Sequence, residues 1–250
     1  MNFIIHKKYK HLKNDLLEVV FNINSYENEF GTGKRNSIKK IKLSDKTLII
    51  KAYKIPNIPN QIVYKYFRKS KAQRSFEFAT KLSKLNIKTP EPIAYLEFST
   101  IFGLKKSFYI SEFVDYDLTY RELSLQSKSF DDEGILKAFT KFTYDLHEKE
   151  ITFLDHSPGN TLIIRKKNKY DFYLVDLNRM QFGKLNFNDR MKNFSRLTSE
   201  KEIIQLMSQV YAELSGENFE KVFKTMWFYT QKFRKKFQRK KRFKKKLLNK

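Results

Sequence analysis

Apolar and polar positions change rhythm along this chain. Up to about residue 113 the apolar residues come in short strand-like runs. Ile38–Leu43 and Thr47–Tyr53 read as two strands joined by Ser44-Asp45-Lys46, and Ile93–Phe98 and Lys106–Phe113 as two more. Val19–Ile23 alternates weakly and reads as a first strand. Between these pairs, Lys65–Leu85 has helical spacing at Ala72, Phe76, Ala79 and Leu82 or Ser83, with Asn86 placed to end it. Thr89-Pro90-Glu91-Pro92 breaks the chain after it.

Beyond Phe113 the helical period takes over. Ile135, Leu136, Phe139, Phe142 and Leu146 predict a helix over Asp131–His147. Ser199-x-x-Glu202 reads as a capping box for a helix that carries Ile203, Leu206, Val210 and Leu214 and stops at Gly216. A last helix starts near Glu217, with Phe219, Val222, Phe223, Met226 and Trp227 on one face, continuing through Phe233 and Phe237. The exception to the helical rhythm is a hairpin, Thr161–Ile164 and Phe172–Val175, around the charged turn Lys166–Lys169. The expected organisation is an N-terminal unit over residues 1–113, a mostly helical unit over 114–231 and a basic tail over 232–250.

Composition narrows the classes. With 40% hydrophobic residues, 24 Phe and 14 Tyr, the chain can bury a core. It has no Cys, which excludes disulfides, thiolate zinc sites and Cys nucleophiles and fits a reducing compartment. The first fifteen residues hold no long apolar run and no stretch approaches ~18 apolar residues, so neither a signal peptide nor a membrane span is expected. The net charge is +24, and Lys232–Lys250 carries twelve Lys or Arg and no acid, leaving about +12 elsewhere. That balance points to a polyanion.

The candidate chemistry clusters in Leu154–Arg179, LDHSPGNTLIIRKKNKYDFYLVDLNR. Asp155 and Asn160 stand five apart in a loop containing Pro158 and Gly159, and Asp176 ends the second strand of the hairpin that follows. This is the layout of a kinase catalytic loop, D-x-x-x-x-N, followed by the metal-binding Asp of a D-F-G-like turn. Upstream, Lys51 interrupts the apolar strand TLIIKAYK. An outward-facing Lys on a half-buried strand is the plain alternative, but the place matches the strand lysine of kinases. Its only candidate acid on the next helix is Glu77, the sole acid between Asp45 and Glu91. Gly31 and Gly33 lie in a loop open to two readings, one with its amides facing phosphate and one as an ordinary hairpin turn. A hinge near Ser111–Val114, with Glu112 and Phe113, is expected to contact adenine.

Phosphoryl transfer needs a cation on the phosphates, Mg²⁺ and an acceptor hydroxyl held near a base. In this reading Lys51, oriented by Glu77, holds the phosphates. Asp155 takes or orients the hydroxyl proton, and Asn160 and Asp176 bind the metal through oxygen. The expected fold is α+β: a two-lobed protein-kinase-like architecture, with an antiparallel sheet plus one helix first, then a mostly helical lobe carrying the catalytic hairpin. Phe153-Leu154 replaces the usual His-Arg before the catalytic Asp, Asp176-Leu177-Asn178 replaces D-F-G, and no A-P-E follows. A peptide-docking activation segment is therefore not expected.

The strings FGTGKRNSIKKIKL, TLIIKAYKIPNIPNQIVYKYFRKSKAQRSFEFATKL, IKTPEPIAYLE, FLDHSPGNTLI and VDLNRMQF together cover most of Phe30–Phe182. In them the chain resembles the lipopolysaccharide core kinases (Kdo/heptose kinase family), in particular the Bacteroidetes-type branch. The resemblance implies ATP and Mg²⁺ as cofactors and a Kdo-containing lipid A precursor, or a related anionic glycolipid, as substrate. It also implies a place at the cytoplasmic face of the inner membrane. The basic tail then reads as an attachment to that anionic surface, the plain alternative being a solvated tail. Nucleic acid is not an expected partner, because the aromatics fall at helical spacing and no nucleic-acid-binding signature is present. An atypical small protein serine/threonine kinase and a catalytically dead, nucleic-acid-binding kinase fold are the competing readings.

Overall fold

A computed structural model of the chain describes residues 1–26, 36–123, 130–167 and 169–248. Two compact units form, one from Met1–Asp115 with Leu174–Asn178, the other from Tyr116–Tyr173 with Arg179–Lys250.

In order along the first unit come β1 (Asn2–Ile5), α1 (Lys13–Phe21), β2 (Asn36–Leu43), β3 (Lys46–Tyr53), α2 (Ile58–Tyr66), α3 (Lys71–Lys84), β4 (Pro92–Thr100) and β5 (Gly103–Glu112). The strands make a five-stranded sheet in the order β1-β4-β5-β3-β2, with antiparallel neighbours. Leu16, Val19, Val20 and Ile23 pack with Tyr9 and Leu12 onto apolar residues of that sheet, including Leu48, Ile50, Leu96 and Ile110. Separately, Ala72 and Phe76 of α3 cluster with Tyr53 and Tyr95.

The first strand is therefore Asn2–Ile5, and Val19–Ile23 belongs to α1 and the 3₁₀ turn after it. Leu16, Val19, Val20 and Ile23 recur at helical spacing; the weak alternation came from too short a window. The helix expected over 65–85 is two helices. α2 is capped by Asn57 and ends at Phe67, and a new cap at Ser70, whose Oγ accepts from the Gln73 amide at 3.1 Å, starts α3. Asn86 does leave α3 in a left-handed conformation, at φ 57°. So α1 and α2 join α3 in this unit.

The second unit contains β6 (Leu118–Thr119), α4 (Tyr120–Leu123), α5 (Phe130–Glu148), β7 (Ile151–Phe153), β8 (Thr161–Lys166), β9 (Lys169–Leu174), β10 (Met180–Phe182), α6 (Phe187–Asn193), α7 (Lys201–Ser215) and α8 (Phe219–Leu248). Its core is helical and includes Ile135, Phe139, Phe194, Met207, Tyr211 and Met226. Two small sheets, β6-β8-β9 and β7-β10, carry the loops of interest. The capping box is not made: α7 starts at Lys201 from Glu200, without a side-chain cap, and Ser199 Oγ donates to the Glu200 carboxylate at 3.3 Å. Gly216, at φ 69°, ends α7 as expected. α8 carries the helical period on without a break into the basic stretch. Among the described residues, no helix is long and apolar enough to cross a membrane.

Candidate active site

In the first unit Lys51 sits mid-way along β3, opposite Ile38 of β2 and Tyr109 of β5. Its side chain is largely buried, and its Nζ lies 2.6 Å from Asp176 Oδ1. The segment bearing Asp176 is tied to this unit by Leu174, whose amide donates to Lys88 O at 3.1 Å and whose carbonyl accepts from Thr89 Oγ1 at 2.9 Å. Asp176 itself adopts φ 59°, a left-handed conformation uncommon for a residue with a side chain. Held conformations of this kind concentrate at functional sites. Asn178 Nδ2 donates to Asp176 Oδ1 at 2.5 Å, so a single carboxylate oxygen receives both Lys51 and Asn178. Tyr53 lies under this pair, 5.4 Å from Lys51 Nζ to the ring centre, with its hydroxyl 2.8 Å from Ser75 Oγ. Burial, then the neighbouring Asp176 charge, pushes its phenol far above the ordinary range, so it stays neutral.

The expected Lys51–Glu77 pair is not made. Glu77 accepts from Lys69 Nζ at 2.9 and 2.8 Å and from Gln73 Nε2 at 3.0 Å. Gln73 lies one helical turn before Glu77, and Lys69 enters from the residue preceding the Ser70 cap, so local partners capture the carboxylate. Lys51 takes Asp176 instead. Glu112 and Phe113, expected at the adenine contact, have their amides used elsewhere. Their amides are committed to the sheet, Glu112 N to Glu91 O at 2.9 Å and Phe113 N to Thr47 O at 2.8 Å. An amide has one proton to donate, so neither N–H is left for adenine; only the carbonyls remain for that role. The Glu112 carboxylate accepts from Lys46 Nζ at 2.6 Å and from Tyr9 OH at 2.9 Å. Burial pushes that carboxyl up, and the two hydrogen bonds outweigh it, leaving it lowered. Gly31 and Gly33 lie outside the described residues.

In the second unit Asp155 follows β7 in the loop that leads through the Pro158–Asn160 3₁₀ turn into β8. Asn160 Nδ2 donates to the Asp155 carbonyl at 2.8 Å, closing the loop. With its nitrogen so used, the Asn160 side-chain oxygen is the end left to accept or ligate. The Asp155 carboxylate is held by two arginines, Arg196 Nη1 at 2.7 Å from Oδ1 and Arg179 Nη1 at 3.9 Å from Oδ2. Arg196 Nη1 also reaches Leu154 O at 3.3 Å, and its guanidinium lies 5.4 Å from the Phe233 ring centre on α8. β10 pairs with β7, Met180 opposite Phe153, which brings Arg179 alongside; the Leu154 amide donates to Arg179 O at 3.0 Å.

Behind the loop is a buried polar post. Asn193 Nδ2 donates to Phe153 O at 2.8 Å, and Asn193 Oδ1 lies 3.1 Å from His147 Nε2, while His147 Nδ1 meets Tyr211 OH at 3.0 Å. His156 is fully buried, its ring 5.2 Å from that of Phe139 and 5.7 Å from that of Phe153. Burial pushes both imidazoles down, His147 to about 4 and His156 to about 3, so both are neutral at pH 7.

Arg196, Asn193 and His147 escaped sequence reasoning. Each lies on another element from the loop it serves, and no spacing rule links them to Asp155. Arg179 was within reach, since it stands inside the catalytic string three residues after Asp176.

A five-stranded antiparallel sheet with a strand lysine, and a helical unit carrying an Asp-to-Asn loop before a hairpin, make an α+β, protein-kinase-like fold. Among solved structures the chain is similar to WaaP in complex with acyl carrier protein, with a TM-score of 0.64 and 12% identity over 94% of this chain and 99% of that one. It has a weaker likeness to the Rio2 kinase ADP/Mg²⁺-phosphoaspartate complex from Chaetomium thermophilum, with a TM-score of 0.48 and 17% identity over 88% and 67% of the two chains. No protein-family model and no curated protein matches the sequence.

Proposed function

We propose that this protein is an ATP-dependent carbohydrate kinase that phosphorylates a sugar, Kdo, of the lipopolysaccharide inner core on a lipid A precursor. The observation that carries the reading is the 2.6 Å pair between Lys51, in the middle of β3, and Asp176, held at φ 59°. A strand lysine and the acid at the D-F-G position, far apart in sequence, meet as an ion pair. In the kinase layout the strand lysine holds phosphates and this Asp holds the metal, so the two belong near one another.

The donor chemistry fits Mg²⁺. Asp176 and Asn160 offer hard oxygens, and among the described residues no group of three or more His, Cys, Asp or Glu forms a closed metal cage. Mg²⁺ uses one or two protein oxygens and takes the rest of its shell from phosphates and water. When bound it would neutralise charge on the transferring phosphoryl group. The residues do the rest in this reading. Lys51 moves from Asp176 to the phosphates. Asp155 would receive the acceptor hydroxyl's proton, and Asn160, whose amide closes the Asp155 loop, would offer its side-chain oxygen to the metal. Arg196 and Arg179 hold the Asp155 carboxylate and aim it. Glu77 joins Lys51 only if it leaves Lys69.

An acceptor that is an anionic glycolipid agrees with the charge of +24 and with the absence of an A-P-E segment after Asp176. In this reading the enzyme works peripherally at the cytoplasmic face of the inner membrane, and the same charge supports a contact of the basic part of α8 with the anionic surface.

The test is incubation with ATP, Mg²⁺ and Kdo-lipid A, followed by mass analysis of the lipid. A gain of one phosphate with wild type, absent with Asp155→Asn, is the expected result. Label from the γ-phosphate on protein instead of lipid would establish the protein-kinase reading. No transfer to any Kdo or heptose acceptor would refute the proposal.

A further inference from the structure

α2 is built inside out. A helix on a globular surface normally turns its apolar stripe to the core. In α2 the buried side chain is Gln61, whose Nε2 donates to Pro56 O at 2.8 Å and whose Oε1 accepts from Lys105 Nζ at 2.9 Å. Ile58, Ile62 and Tyr66, spaced by four, are exposed, Ile58 at 73%, and Phe67 at the helix end is 82% exposed. The β4–β5 turn adds Ile101 at 75% and Phe102 at 73%.

The helix and the turn are fastened together. Lys65 donates to Thr100 O, and Tyr66 OH donates to Ile101 O at 2.6 Å. Gly103, at φ 144°, sits where a Cβ would fall 2.7 Å from the Gln61 carbonyl carbon, so only glycine lets the hairpin rest on α2. The apolar side chains are thus presented on a fixed support. They are also concentrated: eight of the fifteen exposed large hydrophobic residues among the described residues lie between Ile55 and Phe67 or at this turn. Scattered apolar residues need no explanation, but a contiguous patch marks a contact surface.

The surroundings are cationic. No Asp or Glu occurs from Lys46 to Phe76, and Lys65, Arg68 and Lys69 are exposed beside the apolar residues. An apolar crest with cations at its margin matches an anionic bilayer, whose headgroups meet the cations while the acyl boundary takes the crest. We infer that α2 and the β4–β5 turn form a membrane-docking surface that inserts into an anionic bilayer, separately from the basic helix α8. The inference does not rest on phosphoryl transfer, and its test needs no activity.

The test is partition of the full chain onto mixed phosphatidylglycerol–phosphatidylcholine vesicles at about 0.1 M and about 1 M NaCl, where the Debye length falls from about 10 Å to about 3 Å. Charge pairing alone is screened at the higher salt; apolar insertion persists. Wild type keeps a salt-resistant bound fraction. Phe67→Ser with Phe102→Ser lowers that fraction about tenfold, as loss of two partly inserted aromatic rings requires. Neutralising Lys235, Lys236, Arg239 and Lys240 to Gln lowers binding at low salt and leaves the salt-resistant fraction in place. Because the chain has no Cys, Phe102→Cys carries a polarity-sensitive dye at one position, and its emission shifts to the blue on these vesicles. The inference is overturned if wild type shows no salt-resistant binding, or if the Phe67/Phe102 variant binds as wild type does. It is equally overturned if the dye does not shift, or if that variant alters only the mass in solution by light scattering, which would make the patch a self-association face.

Discussion

Acidification from pH 7 to pH 5 is expected to weaken the helical unit through His147 and His156. Both rings are buried and neutral, and burial holds His147 at about 4 and His156 at about 3. In the unfolded chain each returns to about 6.5. Below that value the unfolded state binds protons that the folded state refuses, so the stability these residues contribute is complete above pH 6.5. It is lost progressively as pH falls toward 4 and 3. At pH 5 linkage gives about 2 kcal/mol for each histidine, or roughly 4 kcal/mol for the two. That is a large part of a typical folding free energy of about 5–15 kcal/mol. For a chain of this size it corresponds to a fall in Tm of roughly 8–16 °C. Calorimetry at pH 7, 6 and 5 measures it, with His156→Phe as the second arm. The variant keeps a ring against Phe139 and Phe153 but has nothing to protonate, so about half of the pH dependence should vanish. A Tm that is flat between pH 7 and 5, or a variant with the same slope as wild type, would refute the reasoning.

The remaining expectations concern the candidate site. Lys51→Met should lower phosphate transfer by about 10² to 10³, the scale of losing a fixed charge at the transferring group. Glu77→Gln should lower it less than about tenfold, because Glu77 is paired with Lys69 and Gln73; comparable losses in the two variants would mean that Glu77 changes partner during turnover. Arg196→Gln removes the 2.7 Å hold on Asp155 and should reduce kcat about 10- to 100-fold while the KM for ATP stays within about twofold. A change in KM alone would show that Arg196 serves the nucleotide and not Asp155.

Part of the candidate site's geometry was legible in the sequence because it is written locally. The five-residue spacing of Asp155 and Asn160 lies within one loop, and covalent geometry alone keeps the two within reach: the Asn160 amide closes on the Asp155 carbonyl. Lys51 was legible as a cation interrupting an apolar strand. Long periodic stretches gave α5, α7 and α8, and Gly216 and Asn86 marked helix ends through the left-handed backbone they adopt. Short apolar runs were less reliable. Val19–Ile23 fits either period, and what decides for the helix is packing against Tyr9 and the sheet.

Which side chain meets which was decided only by tertiary structure. Glu77 and Lys51 were each singled out, but the pair expected between them is not made, because nearer partners outcompeted the distant one for the carboxylate. Arg196 reaches Asp155, and Asn193 reaches Phe153, from elements some forty residues away. The amides of Glu112 and Phe113 were consumed by a sheet ladder that no single strand reveals. The inversion of α2 is the clearest case. Ile58, Ile62 and Tyr66 would read as a core stripe in any sequence, and only the burial of Gln61 beneath the β4–β5 hairpin turns them outward. Period and spacing determine which side chains share a face. Which way that face points depends on contacts that only the folded chain makes.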